Sequence, residues 1–294
     1  MALRENLNNP TQAFWDEAHA ESVKVLREAQ AAQEAERANS AWFLNSVAET
    51  RGRYVRCFAQ ILAGKYYEAW CELERIEIAL RWLMTNRFYD PATFAAQELQ
   101  LQVTQWQSLY PYKLFVSPAF LHKRKECSIC HKVINPWSDC GHEVGRVYVG
   151  EECFHIVTEA ELLEVSLVLN PVQKYSVANV GRDKAGDVVD EHDYSVVRFV
   201  ADRLASPFDG WRMHWTYAYH PHELFAQINP DDGCPCESGR AYKSCCLTRP
   251  GVIRPHAQIE FEKDPPANLP SSVLAGYNAE LGSMSLISTL DAKP

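Results

Sequence analysis

Eight of the ten cysteines in this chain fall into two short segments, residues 127–153 and 234–246. The second segment, "GCPCESGRAYKSCC", puts four thiols into thirteen positions. Crowded thiols serve as disulfides or as metal ligands, and a bridge between the adjacent Cys245 and Cys246 would be strained. The N-terminal residues contain no apolar signal segment, so we expect a cytoplasmic protein with reduced thiols. Both segments therefore predict metal sites.

The C-terminal segment has the spacing C-P-C-x-S-G-x-x-Y-x-x-C-C. Each half offers two thiolates, and an excursion of eight residues returns the second pair to the first. Four thiolates at about 2.3 Å complete a tetrahedral zinc site with no open position for a substrate. The predicted ligands are Cys234, Cys236, Cys245 and Cys246. The cations predicted to offset the negative charge of the cluster are Arg240, Lys243 and Arg254.

This spacing resembles the SEC-C motif, the short zinc-binding module found at the C-terminus of the bacterial SecA translocase and in many other bacterial proteins. The resemblance covers residues 229–246, and the following "GVIRPHAQIEF" continues it as a strand. In SecA the module contacts a chaperone partner and the ribosome, so the resemblance implies interaction rather than catalysis. The rest of the chain is not similar to SecA, and it has no G-x-x-x-x-G-K-[ST] phosphate loop for nucleotide.

The upstream segment, "CSICHKVINPWSDCGHEVGRVYVGEECFH", offers more donors than one zinc ion uses. Its C-x-x-C pair is half of a site. The candidate donors for the second half are Cys140, His142, Cys153, His131 and His155. The preferred ligand set is Cys127, Cys130, His142 and Cys153, with Cys140 competing with His142. The turn residues and the strand-like "GRVYVG" predict a small zinc-ribbon-like unit around this site.

A catalytic alternative lies between the two clusters. His220 and His222, with the acids of "DEHD" at 190–193, could form an open hydrolytic metal site. However, acids before a helix also complement its dipole, and Pro221 suits the first turn of a helix. The sequence contains no Ser-His-Asp elbow, dinucleotide-binding glycine loop or HExxH. It therefore favours a non-catalytic protein over a metal-dependent hydrolase or nuclease.

The charge distribution bears on a third hypothesis. The formal charge of −9 argues against nucleic-acid binding over the whole surface. Residues 113–132 are a local exception, because they carry five Lys and Arg residues against Glu126 alone. This pattern allows an RNA- or ribosome-binding zinc protein in which Lys123, Arg124 and Lys125 contact phosphate.

The elements that must position these residues change type along the chain. Helical periodicity and turn residues predict a first helix that begins at Thr11 and includes Leu26, and further helices at 40–62, 66–84 and 91–110. Short strands follow, and one of them is predicted at Val165–Leu169. The predicted class is α+β, without a segment that inserts into a membrane. The predicted divisions are a helical domain at 1–112, a zinc-ribbon-like unit at 113–172, a small α/β region at 173–229, a SEC-C-like module at 230–263 and a loosely ordered tail at 264–294.

The resulting hypothesis is a zinc-binding, non-catalytic adaptor with two structural Zn²⁺ ions. It binds a protein partner, with the ribosome or RNA as the alternative partner.

Overall fold

The computed structural model describes residues 3–137, 140–178, 180–186, 188–190, 192–264, 266, 268–269, 272–278 and 283–289. The chain divides into two compact units, Met1–Glu191 and His192–Pro294. Helices fill its first part and strands dominate the rest, so the predicted α+β class is confirmed. The finer domain boundaries remain predictions.

The first unit begins with helices α1 (Gln12–Ala31), α2 (Ala35–Leu62), α3 (Tyr66–Thr85), α4 (Pro91–Phe94) and α5 (Ala96–Leu109). The sequence predicted one helix over 91–110, whereas the backbone of Ala95 is left-handed, with φ 46°. The buried guanidinium of Arg51 donates to the carbonyl oxygens of Phe94, at 2.8 Å, and Ala95, at 3.2 Å. Burial lowers the pKa of Arg51 to about 10. Arg51 therefore stabilises the break between α4 and α5.

Aromatic side chains fill the space between these helices. Trp15, Tyr54 and Trp106 are each about 1% exposed, and the Trp106 indole donates to the Tyr54 hydroxyl at 3.2 Å. Trp70 of α3 donates to the carbonyl oxygen of Lys174 at 2.6 Å and packs against Phe115. This aromatic core explains the stability of the helical layer, because each buried aromatic ring removes a large apolar surface from water.

The helices are followed by strands β1 (Phe115–Cys127), β2 (Val133–Ile134), β3 (Val147–Tyr148), β4 (Glu151–Glu152), β5 (His155–Val168), β6 (Val180–Arg182) and β7 (Val188–Asp190). β1 pairs antiparallel with β5 along its whole length and with β2 near its end. β3 pairs with β4, and β6 with β7. For the stretch that follows Cys153, the sequence predicted a strand at Val165–Leu169, but β5 is longer and begins at His155.

A loop of the zinc-ribbon-like segment contacts the helical layer at Val149 and Gly150. The Gly150 N–H donates to the Asn39 side-chain oxygen at 2.7 Å, and Gln30 donates to the Val149 carbonyl oxygen at 3.1 Å. Gly150 has φ +76°, and a Cβ there would lie 2.3 Å from Leu26 Cδ1. Glycine is therefore required for the close approach of this loop to α1 and α2.

The second unit contains α6 (Ser195–Ala201), β8 (Trp211–His220), β9 (Val252–Phe261), β10 (Ser272–Asn278) and β11 (Ser283–Thr289). The strands form one sheet in the order β10-β11-β9-β8. β8 and β9 pair antiparallel without a register shift, and the thiol-rich segment connects them. β10 and β11 lie in the tail predicted to be loosely ordered; several other tail positions lie outside the described residues.

None of the helices in the described ranges combines the length and the hydropathy that a membrane crossing requires.

Replacing Gly150 by Ala is expected to destabilise the first unit. The new methyl group would force Leu26 to move and would hold alanine in a left-handed conformation, at a cost of about 2 kcal/mol. Chemical denaturation followed by tryptophan fluorescence measures this loss. Gly181→Ala is the matched control, because no heavy atom lies within 4 Å of a Cβ at that position. Equal stability of the two variants would contradict the requirement for glycine at 150.

Candidate metal centres

The C-terminal thiols are brought together by a backbone that folds back on itself. The Cys234 N–H donates to the Arg240 carbonyl oxygen at 2.7 Å, and Gly233 forms an isolated antiparallel bridge with Ala241. Gly239 has φ +75°, which permits the tight reversal. A 3₁₀ turn over Tyr242–Ser244 then delivers the second thiol pair. These bonds bring the second thiol pair back to the first, as the sequence predicted.

The four sulfur atoms of Cys234, Cys236, Cys245 and Cys246 all lie within 4.8 Å of one another. The Cys236 and Cys245 sulfurs are 3.5 Å apart, and those of Cys245 and Cys246 are 4.0 Å apart. Neighbouring sulfurs in a tetrahedral zinc site with Zn–S bonds of about 2.3 Å are about 3.8 Å apart. These four thiols therefore fit a metal ion of this size and preference.

Polar groups around these sulfurs favour thiolates. Ser238 Oγ lies 3.2 Å from Cys245 Sγ, and Arg240 donates to the same sulfur at 3.3 Å. Burial opposes the ionisation of Cys236, but hydrogen bonds from Ser238 and the neighbouring thiols outweigh it and lower the pKa of Cys236 to about 6. Burial raises the pKa of Cys246 to about 12. A bound cation would supply the charge needed to deprotonate such a thiol.

The three cations predicted to offset the thiolate charge, Arg240, Lys243 and Arg254, make different contacts. Only Arg240 among the three contacts a sulfur in the described part of the chain. Lys243 pairs with Asp231, and the buried Arg254 donates to the Pro235 carbonyl oxygen and to Glu237, both at 2.6 Å. Arg254 therefore ties the first thiol pair to β9 rather than offsetting the thiolate charge directly.

The upstream cluster forms where β1 ends. The Cys127 N–H donates to the Lys132 carbonyl oxygen at 3.0 Å, which closes the turn that holds the C-x-x-C pair. The Ser128 N–H donates to the Phe154 carbonyl oxygen at 2.9 Å, and this bond brings the chain around Cys153 to the turn. Cys153 is fully buried beside the start of β5.

Five donors surround this upstream position. The ligand atoms of Cys127, Cys130, Cys140 and His142 lie within 4.8 Å of one another. Cys153 is outside this group of four, but its sulfur lies 3.9 Å from that of Cys127. The structure therefore places both Cys140 and His142 at the site, and the choice of four ligands among the five donors remains a prediction.

Local contacts indicate how two of these donors behave. His142 Nδ1 is buried and has no hydrogen-bond partner among the described residues, and the ring packs edge-on against Tyr148 at 4.6 Å. An orphaned ring nitrogen beside three thiols fits a metal ligand. Burial opposes the ionisation of Cys127, but the N–H groups of Cys130 and Ile129 outweigh it and lower the pKa of Cys127 to about 6.

His222 and Asp193, which the sequence offered as part of a hydrolytic centre, have other contacts. One ring nitrogen of His222 lies 2.6 Å from the Tyr242 hydroxyl and the other lies 2.9 Å from the Arg249 carbonyl oxygen. His220 is fully buried. Asp193 accepts a bond from the Ser195 N–H at 2.8 Å, at the start of α6. Within the described ranges, neither histidine belongs to a group of three or more potential metal ligands.

The positive charge of residues 113–132 is partly neutralised by neighbouring acidic side chains. Lys123 pairs with Glu161 of β5 at 2.6 Å, and Arg124 pairs with Glu126 at 2.9 Å. Both pairs are solvent-accessible, so each contributes at most about 1 kcal/mol to stability. These pairs also reduce the positive charge that residues 113–132 present to a phosphate.

Two hydrogen bonds that hold the thiol-rich segments in place could hardly be predicted from the sequence. The His222–Tyr242 bond joins the segment after β8 to the thiol module, and a histidine beside proline does not indicate such a partner. The docking of Gly150 against Asn39 joins residues 111 positions apart. A glycine between Val149 and Glu151 is the one sequence signal for that close approach.

Comparisons with known proteins give no match: no family model, no curated protein and no solved structure is similar to this chain. The resemblance to the SEC-C motif is carried by the spacing of the C-terminal residues alone.

His220 generates a prediction about acid stability. Burial, with smaller contributions from His256 and Arg254, lowers the pKa of His220 from 6.5 to about 4. Between these values the unfolded chain binds a proton that the folded chain does not, so stability falls as the pH decreases from 6.5 to 4. His220→Phe is expected to remove this loss, up to about 3 kcal/mol.

Denaturation at a series of pH values between 4 and 7 measures the effect of His220→Phe. Acid also protonates the metal-binding thiols, but this contribution is common to the variant and the wild type. The control is His214→Phe on the same strand, where the side chain is half exposed. If His220→Phe and the wild type lose stability equally with acid, burial of a neutral His220 is not the cause.

Proposed function

We propose that this chain is a two-zinc, non-catalytic interaction protein in which both metal ions are structural. The observation that carries the proposal is the closed geometry of Cys234, Cys236, Cys245 and Cys246, whose sulfurs lie within 4.8 Å of one another. Four thiolates saturate a tetrahedral zinc ion and leave no position for a substrate or a reactive water. Such a site contributes folding energy to a module and does not perform chemistry on a substrate.

The upstream cluster supports the same proposal. Three thiols and one imidazole lie within bonding range of a common position, with the Cys153 thiol beside them. Catalytic zinc sites usually have three protein ligands and an open position, whereas this position has a surplus of donors. Thiol-rich donor sets also favour zinc over magnesium or calcium, which prefer oxygen ligands.

The proposed partner is another protein. The SEC-C resemblance of residues 229–246 supports it, since the module in SecA contacts a chaperone and the ribosome. Reduced, metal-binding thiols support a cytoplasmic location. RNA as the partner receives less support, because Lys123 and Arg124 are engaged with carboxylates. A hydrolytic role for His222 receives less support as well, since both of its ring nitrogens have partners.

Elemental analysis of the purified protein tests the metal content. We expect two zinc ions per chain in the wild type and one in the Cys245→Ala/Cys246→Ala variant, because the two clusters use separate ligands. Cys71→Ala, which changes a thiol outside both clusters, is the control and should retain two.

Two outcomes would contradict the proposal. One zinc in the wild type and none in the double variant would show that the upstream donors hold no metal. A third ion that mild chelation removes, together with a hydrolytic activity that His222→Ala abolishes, would establish the enzyme in place of the interaction protein.

A further inference from the structure

The paired strands β1 and β5 form a two-stranded arm whose main packing neighbours are each other. An isolated two-stranded ribbon is marginally stable in water. Its apolar side chains that are half or more exposed are Phe120, Leu121, Leu162, Leu163, Val165 and Leu167. These side chains are distributed over both strands of the arm. A group of exposed apolar side chains marks a candidate interaction site.

The two edges of the arm differ. On the outer side of β1, the Val116 N–H donates to the Ser176 carbonyl oxygen at 2.7 Å. Two residues further on, Pro118 has no N–H to offer, and proline protects strand edges from pairing. On the outer side of β5, no strand from the described ranges is paired. β5 contains neither proline nor lysine, so its edge lacks those protections.

The direction of the backbone groups follows from the same bond. Because the Val116 N–H points away from β5, Val116 and Leu167 are a pair without mutual hydrogen bonds. Pair types alternate in an antiparallel ladder, and residues 164–168 pair with 115–119 without a register shift. Pro118 and Val165 are therefore the same type of pair, and the N–H and C=O groups of Val165 and Leu167 point to the open edge.

The residues around Val165 are complementary to themselves. Side-chain exposure alternates here: Val165 and Leu167 are 58% and 66% exposed, whereas Ser166 and Val168 are partly buried. If two copies of β5 align antiparallel about Val165, Val165 faces Val165 and Glu164 faces Ser166 within the segment that pairs without a register shift. Extended past the shift at Leu163, the same alignment places Leu163 and Leu162 opposite Leu167 and Val168. No carboxylate faces a carboxylate, and apolar residues face apolar residues.

We propose that the open edge of β5 pairs with the same edge of a second copy of this chain, about a two-fold axis at Val165, so that the two sheets join in the strand order β2-β1-β5-β5-β1-β2. Symmetric, self-complementary contacts of this kind are the commonest route to homodimers. The dimer uses none of the metal ligands, so it stands or falls separately from the proposed function.

A charge-swap experiment tests the axis. In a symmetric dimer, Val165→Lys places two cations opposite each other, and Val165→Glu places two anions there. Each variant alone is expected to raise the dimer dissociation constant at least about tenfold, and an equimolar mixture is expected to restore dimers, because lysine then faces glutamate. Sedimentation velocity of the zinc-loaded full chain over a concentration series measures all three samples and the wild type.

The control is Val172→Lys, which introduces the same charge at a 93% exposed valine outside β5 and should leave the dimer intact. Zinc content and circular dichroism check that each variant is folded. We expect folded variants, because the side chain of Val165 is exposed. A wild type that stays monomeric overturns the proposal and assigns the arm to a different partner. Dimers that both charged variants retain overturn it as well, and a mixture that stays monomeric overturns the axis at Val165.

Discussion

The closure of four metal-binding side chains around one point is the constraint on which both thiol-rich segments depend. Around the C-terminal thiols, one cluster of buried residues consists of Phe225, Cys234, Tyr242, Cys245, Cys246 and Val252. Half of these six residues are candidate ligands, so much of the local core is made of thiols. Thiolates at 3.5–4.0 Å repel one another unless a cation lies between them. A metal ion bound by these thiols, as proposed, would remove that repulsion and make the crowded cysteines stabilising.

The same constraint organises the arm of the first unit. Cys127 is the last residue of β1, and Cys153 lies two residues before the start of β5, so a metal bound there would fix one end of both strands. At the other end, Phe115 packs against Trp70 of the helical layer. Between these two anchors the strands contact mainly each other. The arm keeps its register because its ends are fixed, although its middle lacks a packed face.

The parts of this structure that depend on local spacing could be predicted from the sequence. The four long helices follow from periodicity, and the C-terminal ligand set follows from thiols separated by a single reversal. The break at Ala95 could not be predicted, since it depends on Arg51, 44 residues away. The length of β5 could not be predicted either, because glutamates and three register shifts interrupt the alternation of apolar residues. Among the upstream donors, spacing alone could not show that Cys140 and His142 both reach the site.

The distribution of bonding capacity in the described residues supports the proposal of association over catalysis. The candidate metal sites have at least as many donors as a zinc ion has positions, and His222 has partners on both ring nitrogens. On β5, in contrast, backbone donors and acceptors at Val165 and Leu167 point outward beside exposed apolar side chains. A group that is buried and paired has no free energy to gain from a ligand. An edge with unpaired amides and exposed apolar side chains gains free energy by pairing with another strand.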